Sequence, residues 1–203
     1  MFYIKYKDST HINSMIYTAP LTGFADKASW KVFVDHDPAV RIEGLDVLKN
    51  YVAVEVRKNG LNEIGIYKLA DGKTASINFP EPVYSASLNG NPEYDSETIR
   101  YTYTSLNRPS TLYEYNMSTG ESVKLKEQEI PSGFNPDEYV VERLWAKASD
   151  GVEVPMAIVY KKGLKKSGKN PVLFTHTVVT GQAVTSISHR HFTASLTEGL
   201  SLV

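Results

Sequence analysis

"NEIGIYKLADGKTASINF", residues 62–79, and "STLYEYNMSTGESVKLK", residues 110–126, are two copies of one pattern. Each has a run of alternating apolar and polar residues around a tyrosine, a short turn containing glycine, and a second run rich in β-formers. Tyr67 and Tyr115 are 48 residues apart, and so are Gly72 and Gly120. A third copy begins at "NSMIYTAP", where Tyr17 lies 50 residues before Tyr67. The strands before the tyrosines keep the same order ("FYIKY", "YVAVEV", "IRYTY"), as do those after them ("WKVFV", "TASINF", "SVKLK"). Side chains alternating with period two and bounded by Asn, Asp, Gly, Ser and Pro specify strands and turns. A repeat of about 40–50 residues with about four strands per unit is the signature of propeller blades. A β-sandwich with chance spacing does not account for strand order and turns recurring together. Two nearly complete units occupy roughly 42–80 and 82–128, with the last part of another at 2–35.

The pattern changes after "EIPSGFNPDEY", where Pro131, Gly133 and Pro136 mark a linker. "YVVERLWAK" (139–147) and "VEVPMAIVYK" (152–161) are expected to pair as a hairpin across Asp150-Gly151. A lysine-rich loop then leads to the apolar run Pro171–Phe174. This reads as the opening of an α/β domain rather than another blade.

Composition narrows the function classes. The 203 residues carry 22 Lys+Arg against 23 Asp+Glu, without the basic excess that phosphate binding requires, so neither nucleic acid nor an anionic membrane is an expected partner. Cysteine is absent, which removes disulfides, thiolate metal sites and a thiol nucleophile. No apolar run reaches membrane-spanning length, and a cytoplasmic location is expected.

Four segments carry a specific resemblance: "EGLDVLKNYVAVEVRKNGL", "FPEPVYSASLNGNPEYDSETIRYTYTSLNRPSTLYEY", "FNPDEYVVERLWAKASDGVEVPMAIVYKKGL" and "GKNPVLF". In them the chain resembles the prolyl oligopeptidase-type serine peptidases, and within these the oligopeptidase B group. The resemblance implies a mainly β chain: a partial β-propeller of later blades, followed by the first strands of an α/β-hydrolase domain. It places the propeller part at 1–132 (about two and a half blades), the start of the catalytic domain at 133–175, and an out-of-frame tail at 176–203. It further implies a serine-type endopeptidase acting on short peptides after Arg or Lys, with a Ser-Asp-His triad and no cofactor. The alternatives are a non-catalytic propeller module that binds peptides or a partner protein, and a split enzyme whose second half is translated separately.

The tail reading follows from what the family has after this strand. A corner close to YGYGSYG is expected there and a segment like LLDRGF later, yet residues 175–181 read "THTVVTG". Joining the third base of each codon to the first two of the next allows TAC, GGT, AGT, TAC and GGG across His176–Gly181, which spells YGSYG. The same offset across Ala194–Leu200 allows CTC, CTT, GAC, CGA, GGG and TTT, which spells LLDRGF. Two matches in one frame, each at the expected place, indicate a single-base loss or equivalent shift near His176.

No catalytic, cofactor-binding or metal-binding residue is assigned within the chain. The hydrolase mechanism needs a nucleophilic serine on a G-x-S-x-G elbow, and no such motif occurs in the sequence. The family's corner tyrosine falls at Thr177, which has no phenolic hydroxyl to give to an oxyanion. His189 and His191 lack a third ligand. Asp8, His11, Asp35 and His36 are read as turn formers, and Lys161, Lys162, Lys165, Lys166 and Lys169 as a solvated loop. Tyr101, Tyr103, Tyr113 and Tyr115 are expected to pack between blades. An incomplete propeller also leaves a blade edge unpaired, so self-association is expected.

Overall fold

The computed structural model describes residues 1–131, 133–167 and 169–173, together with the backbone of Ser201–Leu202. The chain divides into two compact units. One comprises Met1–Ile77 with Gly90–Glu97, the other Asn78–Asn89 with the described residues from Thr98 onward.

The first unit holds two antiparallel sheets. β1 (Phe2–Tyr6), β2 (Met15–Ala19) and β3 (Lys31–Val34) form a three-stranded meander. β4 (Val40–Val47), β5 (Tyr51–Lys58), β6 (Leu61–Lys68) and β7 (Thr74–Ser76) form a four-stranded one. In the second unit, β8 (Tyr84–Leu88), β9 (Thr98–Ser105), β10 (Arg108–Asn116) and β11 (Ser122–Glu127) repeat the four-stranded order. These three sheets are antiparallel throughout, as the alternation in the sequence requires.

The repeat read from the sequence is a repeat of register. Tyr17 stands opposite Ile4, Tyr67 opposite Val52 and Tyr115 opposite Ile99, so each repeat tyrosine faces a β-branched residue on the preceding strand. The turns repeat at the level of hydrogen bonds. Lys68 N–H donates to Lys73 O (2.8 Å) and Gly72 N–H to Lys68 O (3.0 Å); Asn116 N–H donates to Glu121 O and Gly120 N–H to Asn116 O, both at 2.8 Å. Closing these turns requires a left-handed backbone at the glycine, and Gly72 and Gly120 have φ of 68° and 79°. A Cβ at Gly72 meets nothing and one at Gly120 meets only Tyr115 Oη at 3.7 Å, so a substitution costs conformational energy rather than causing a clash. Gly72→Ala and Gly120→Ala are each expected to lower stability by about 1–2 kcal/mol in denaturant melts.

The core of the first unit is aliphatic. Ile16, Ile42, Val52 and Val54 are buried, with Tyr3, Phe33, Val34 and Tyr67 packed against them. Each such side chain contributes about 1.5–3 kcal/mol on burial, and its β-branch also suits the strand backbone. The connection between β2 and β3 departs from the expected strand. β3 begins at Lys31, and Trp30 belongs to a longer loop containing a 3-10 turn at Lys27–Ser29. There Trp30 packs on Tyr6 and Tyr17 with ring centroids 5.6 Å away in each case, and donates its indole N–H to Phe24 O at 2.8 Å.

The hairpin expected after the linker is present: β12 (Tyr139–Lys147) pairs with β13 (Glu153–Lys161) in unbroken register, from Tyr139 opposite Lys161 to Lys147 opposite Glu153. β14 (Val172–Leu173) and β15 (Ser201–Leu202) complete this sheet, parallel to one another, in the order β12-β13-β15-β14. A 3-10 turn at Pro136–Glu138 precedes β12, capped by Asn135, whose side chain accepts from Asp137 N–H.

Candidate functional site

Within the second unit, the third blade and the hairpin meet through the turn that joins β9 to β10. Leu106, at the tip of that turn, packs with Phe134 and Val141 against buried Tyr139 and Val159. Phe134 and Tyr139 stack with centroids 5.1 Å apart. Asn107, also buried, donates from Nδ2 to Pro136 O at 3.3 Å and accepts from Ser105 Oγ at 2.9 Å.

Beside this apolar contact is a charged one. Glu81 sits in "FPEPV" between two prolines, and its side chain is only 8% exposed. A carboxylate held out of water needs donors, and it has two: the Tyr103 hydroxyl and Arg108 Nε. Arg108 Nη2 also lies 3.7 Å from Asp137 Oδ1 in the turn leading into the hairpin. The hydrogen bond to Glu81 holds the Arg108 guanidinium further above its ordinary range. Arg108 thus ties the blade's buried carboxylate to the turn that leads into the β12–β13 hairpin.

The tyrosines singled out by alternation stand on one face of the third sheet, where Tyr101, Tyr103 and Tyr113 make ring contacts with one another, with Phe79 and with Tyr84. Tyr101 stacks on Tyr113 at 5.3 Å, Phe79 stacks on Tyr103 at 5.3 Å, and the Tyr101 hydroxyl pairs with Ser122 Oγ at 3.0 Å. Burial raises the phenols of Tyr101 and Tyr115 above their usual range.

Asp8 and His11 form a local hydrogen-bonded loop, and Asp35 and His36 lie in the connection between β3 and β4. Asp8 accepts from the Thr10 hydroxyl (2.7 Å), from Thr10 and His11 N–H, and pairs with His11 Nδ1 at 2.8 Å; the Thr10 hydroxyl, then the His11 ring, hold its carboxyl well below the usual range. Asp35 accepts from His36 N–H at 2.7 Å, and the His11 and His36 rings lie 4.5 Å apart. Among the described residues, no group of three or more His, Cys, Asp or Glu side chains is placed to hold a metal. Thr177, His189 and His191, and the whole codon-shift reading, lie outside the described residues.

The lysine loop is solvated, and part of its charge is met locally. Lys161 Nζ lies 3.4 Å from Glu138 and Lys166 Nζ 2.9 Å from Glu142. Glu142 also accepts from the Tyr160 hydroxyl, and its carboxyl is lowered first by that bond and then by Lys166. A carboxyl lowered on folding contributes stability above its unfolded pKa, and that contribution is lost as pH falls through the folded value. In an NMR titration Glu142 should therefore titrate below an unpaired glutamate. Tyr160→Phe is expected to move it upward by more than Lys166→Met does.

Among the described residues, no helix is long and apolar enough to cross a membrane. Residues 1–128 match the family model for the prolyl oligopeptidase N-terminal beta-propeller domain. The chain is 39% identical over 162 residues to a dipeptidyl aminopeptidase BI from Pseudoxanthomonas mexicana, covering 79% of this chain and 22% of that one. It is 26% identical over 162 residues to Protease 2 of Moraxella lacunata, covering 80% and 23%. Oligopeptidase B from Trypanosoma brucei, solved in a closed form with covalently bound antipain, superposes with a TM-score of 0.83 at 23% identity, covering 96% of this chain and 28% of that one. At that identity the superposition speaks for the fold. The chain therefore spans about a quarter of the length of the proteins it matches. Its matched residues, in the order and register just described, are propeller blades, and the chain belongs to the prolyl oligopeptidase family.

Proposed function

We propose that the 203 residues are part of an oligopeptidase B-like serine endopeptidase that cuts short peptides after Arg or Lys, and that this part alone is inactive. Residues 1–132 are the later blades of the propeller, 133–175 the start of the catalytic domain, and 176–203 an out-of-frame tail. The observation that carries the reading is continuity. Blades of the prolyl oligopeptidase family are followed by a capped 3-10 turn and the β12–β13 hairpin, which lies beyond the residues that match the propeller model. No G-x-S-x-G elbow occurs in the sequence, which supports placing the nucleophile elsewhere in a longer protein.

The 39% identity to a dipeptidyl aminopeptidase favours a second specificity, removal of dipeptides from a free N-terminus. The two are separated by assaying the frame-restored, full-length gene product on matched peptides. Cleavage after internal Arg or Lys with the N-terminus blocked supports the endopeptidase. Activity that vanishes on blocking the N-terminus supports the aminopeptidase.

A further inference from the structure

By register with the repeat tyrosines, the β1–β2, β5–β6 and β9–β10 connections are equivalent. The last two are tight turns, Asn59-Gly60 and Leu106-Asn107, whereas the first is a longer loop, residues 7–14. That loop is held to residues 35–39, the connection between β3 and β4, within one compact unit. The His11 and His36 rings lie with centroids 4.5 Å apart and planes inclined at 53°. Asn13 N–H donates to His36 Nε2 at 3.5 Å, and Asn13 Nδ2 donates to Asp37 O and Pro38 O, both at 3.0 Å.

These bonds fix where the protons are. Asp8 accepts from the Thr10 hydroxyl and from the Thr10 and His11 N–H groups, which keeps it a carboxylate. A carboxylate only accepts, so His11 Nδ1, 2.8 and 2.9 Å from its two oxygens, carries a proton. His36 Nε2 receives the Asn13 N–H and therefore offers a lone pair, which puts the proton of a neutral ring on Nδ1. The charged groups around His36 are Asp8 and His11 on the facing loop and Asp35 and Asp37 on its own segment. Asp35 Oδ1 accepts from His36 N–H at 2.7 Å and Asp37 Oδ1 from Ala39 N–H at 2.8 Å.

We propose that His11 and His36 form a proton-operated latch between the β1–β2 loop and the β3–β4 connection, closed while His36 is neutral and open when both rings are charged. A proton added to His11 alone leaves the latch closed, because Asp8 balances that charge. A proton added to His36 turns its acceptor nitrogen into a second donor facing the Asn13 N–H. It also sets two cationic rings 4.5 Å apart, and Asp35 and Asp37 draw the charged ring toward its own segment. The bonds from the Asn13 side chain involve amide and carbonyl groups that do not titrate, so the two segments stay tethered and the opening is local and reversible. Histidine is the side chain whose charge changes in mild acid, which makes this a switch rather than acid unfolding. In the third sheet the equivalent connection, Leu106-Asn107, is the one that packs against the hairpin residues. Operation of the latch does not depend on which peptidase specificity holds.

The test is NMR of the 203-residue chain with nitrogen-labelled histidine, the two rings being assigned by the signals lost in His11→Gln and His36→Gln. At about pH 8 His36 should carry its proton on Nδ1 and none on Nε2, and nuclear Overhauser contacts should join the two rings; at about pH 5 those contacts should be lost. Over the same range the Asn13 amide should lose protection from hydrogen exchange, after correction for the pH dependence of exchange itself, while β5 and β6 keep theirs. In His36→Gln the side-chain oxygen accepts from Asn13 N–H and cannot ionise, so the protection should persist at the lower pH. A His36 ring protonated on Nε2 at the higher pH overturns the proposal. So do ring contacts that survive when both rings are charged, and a loss of Asn13 protection in His36→Gln equal to that in the parent.

Discussion

The purified 203-residue chain should hydrolyse no Arg- or Lys-containing peptide and take up no serine-directed phosphonate. Acyl transfer requires an activated nucleophile, its base and a preformed oxyanion site. The sequence has no nucleophile elbow, and Thr177 stands where the resemblance implies a corner tyrosine. Restoring the reading frame near residue 176 and extending the coding sequence downstream should bring both activities back. Since such enzymes accelerate hydrolysis by about a million-fold or more, the two forms should differ between no signal and turnover. Replacing the elbow serine in the restored enzyme should abolish the activity again. Cleavage after Arg by the 203-residue chain, with contaminating peptidases excluded, means that a different active site exists.

The second large effect is expected at Arg108. Removing one partner of a buried ion pair leaves the other charge without compensation, at a cost of about 3–5 kcal/mol when both are buried. Glu81 is buried but Arg108 is 39% exposed, so Arg108→Met should cost somewhat less, about 2–3 kcal/mol. Tyr103 remains as a donor to Glu81 and limits the loss. Replacing the pair together, with Glu81→Leu added to Arg108→Met, should recover much of it, because no charge is then left buried. The comparison is made by the denaturation midpoint of the 203-residue chain. The same stability in Arg108→Met as in the parent would remove Arg108 from any role in joining blade to hairpin.

These two predictions differ in how far they could be read before the structure. The absence of an elbow is a property of the sequence itself. The blades were legible for a similar reason. Alternation, a tyrosine every 48–50 residues, and Gly72 and Gly120 in step are local signals, each imposed by backbone geometry within one hairpin. The β12–β13 hairpin was legible from Asp150-Gly151 and the matched runs on either side.

The Glu81–Arg108–Asp137 link was not legible. Its members are 27 and 29 residues apart, Glu81 and Asp137 in connections and Arg108 at the first residue of β10, and each taken alone reads as a solvated charge. Only the prolines flanking Glu81 hint that its backbone is fixed. The repeat alone puts Trp30 in a strand, because "WKVFV" stands where the other units have "TASINF" and "SVKLK". Its partners Tyr6 and Tyr17, together with its bond to Phe24 O, hold it in the loop instead.

The central claim is that these residues are family blades running into a catalytic domain whose coding sequence continues in another frame. The most direct test is the nucleotide sequence of the gene from the codon for Asn170 to well beyond that for Val203. Read one base out of phase from the codon for His176, it should encode YGSYG, then LLDRGF, and further on a G-x-S-x-G elbow followed by the acid and histidine of the triad. Codons that fix His176–Val203 in frame and cannot yield those segments in the shifted phase would contradict it.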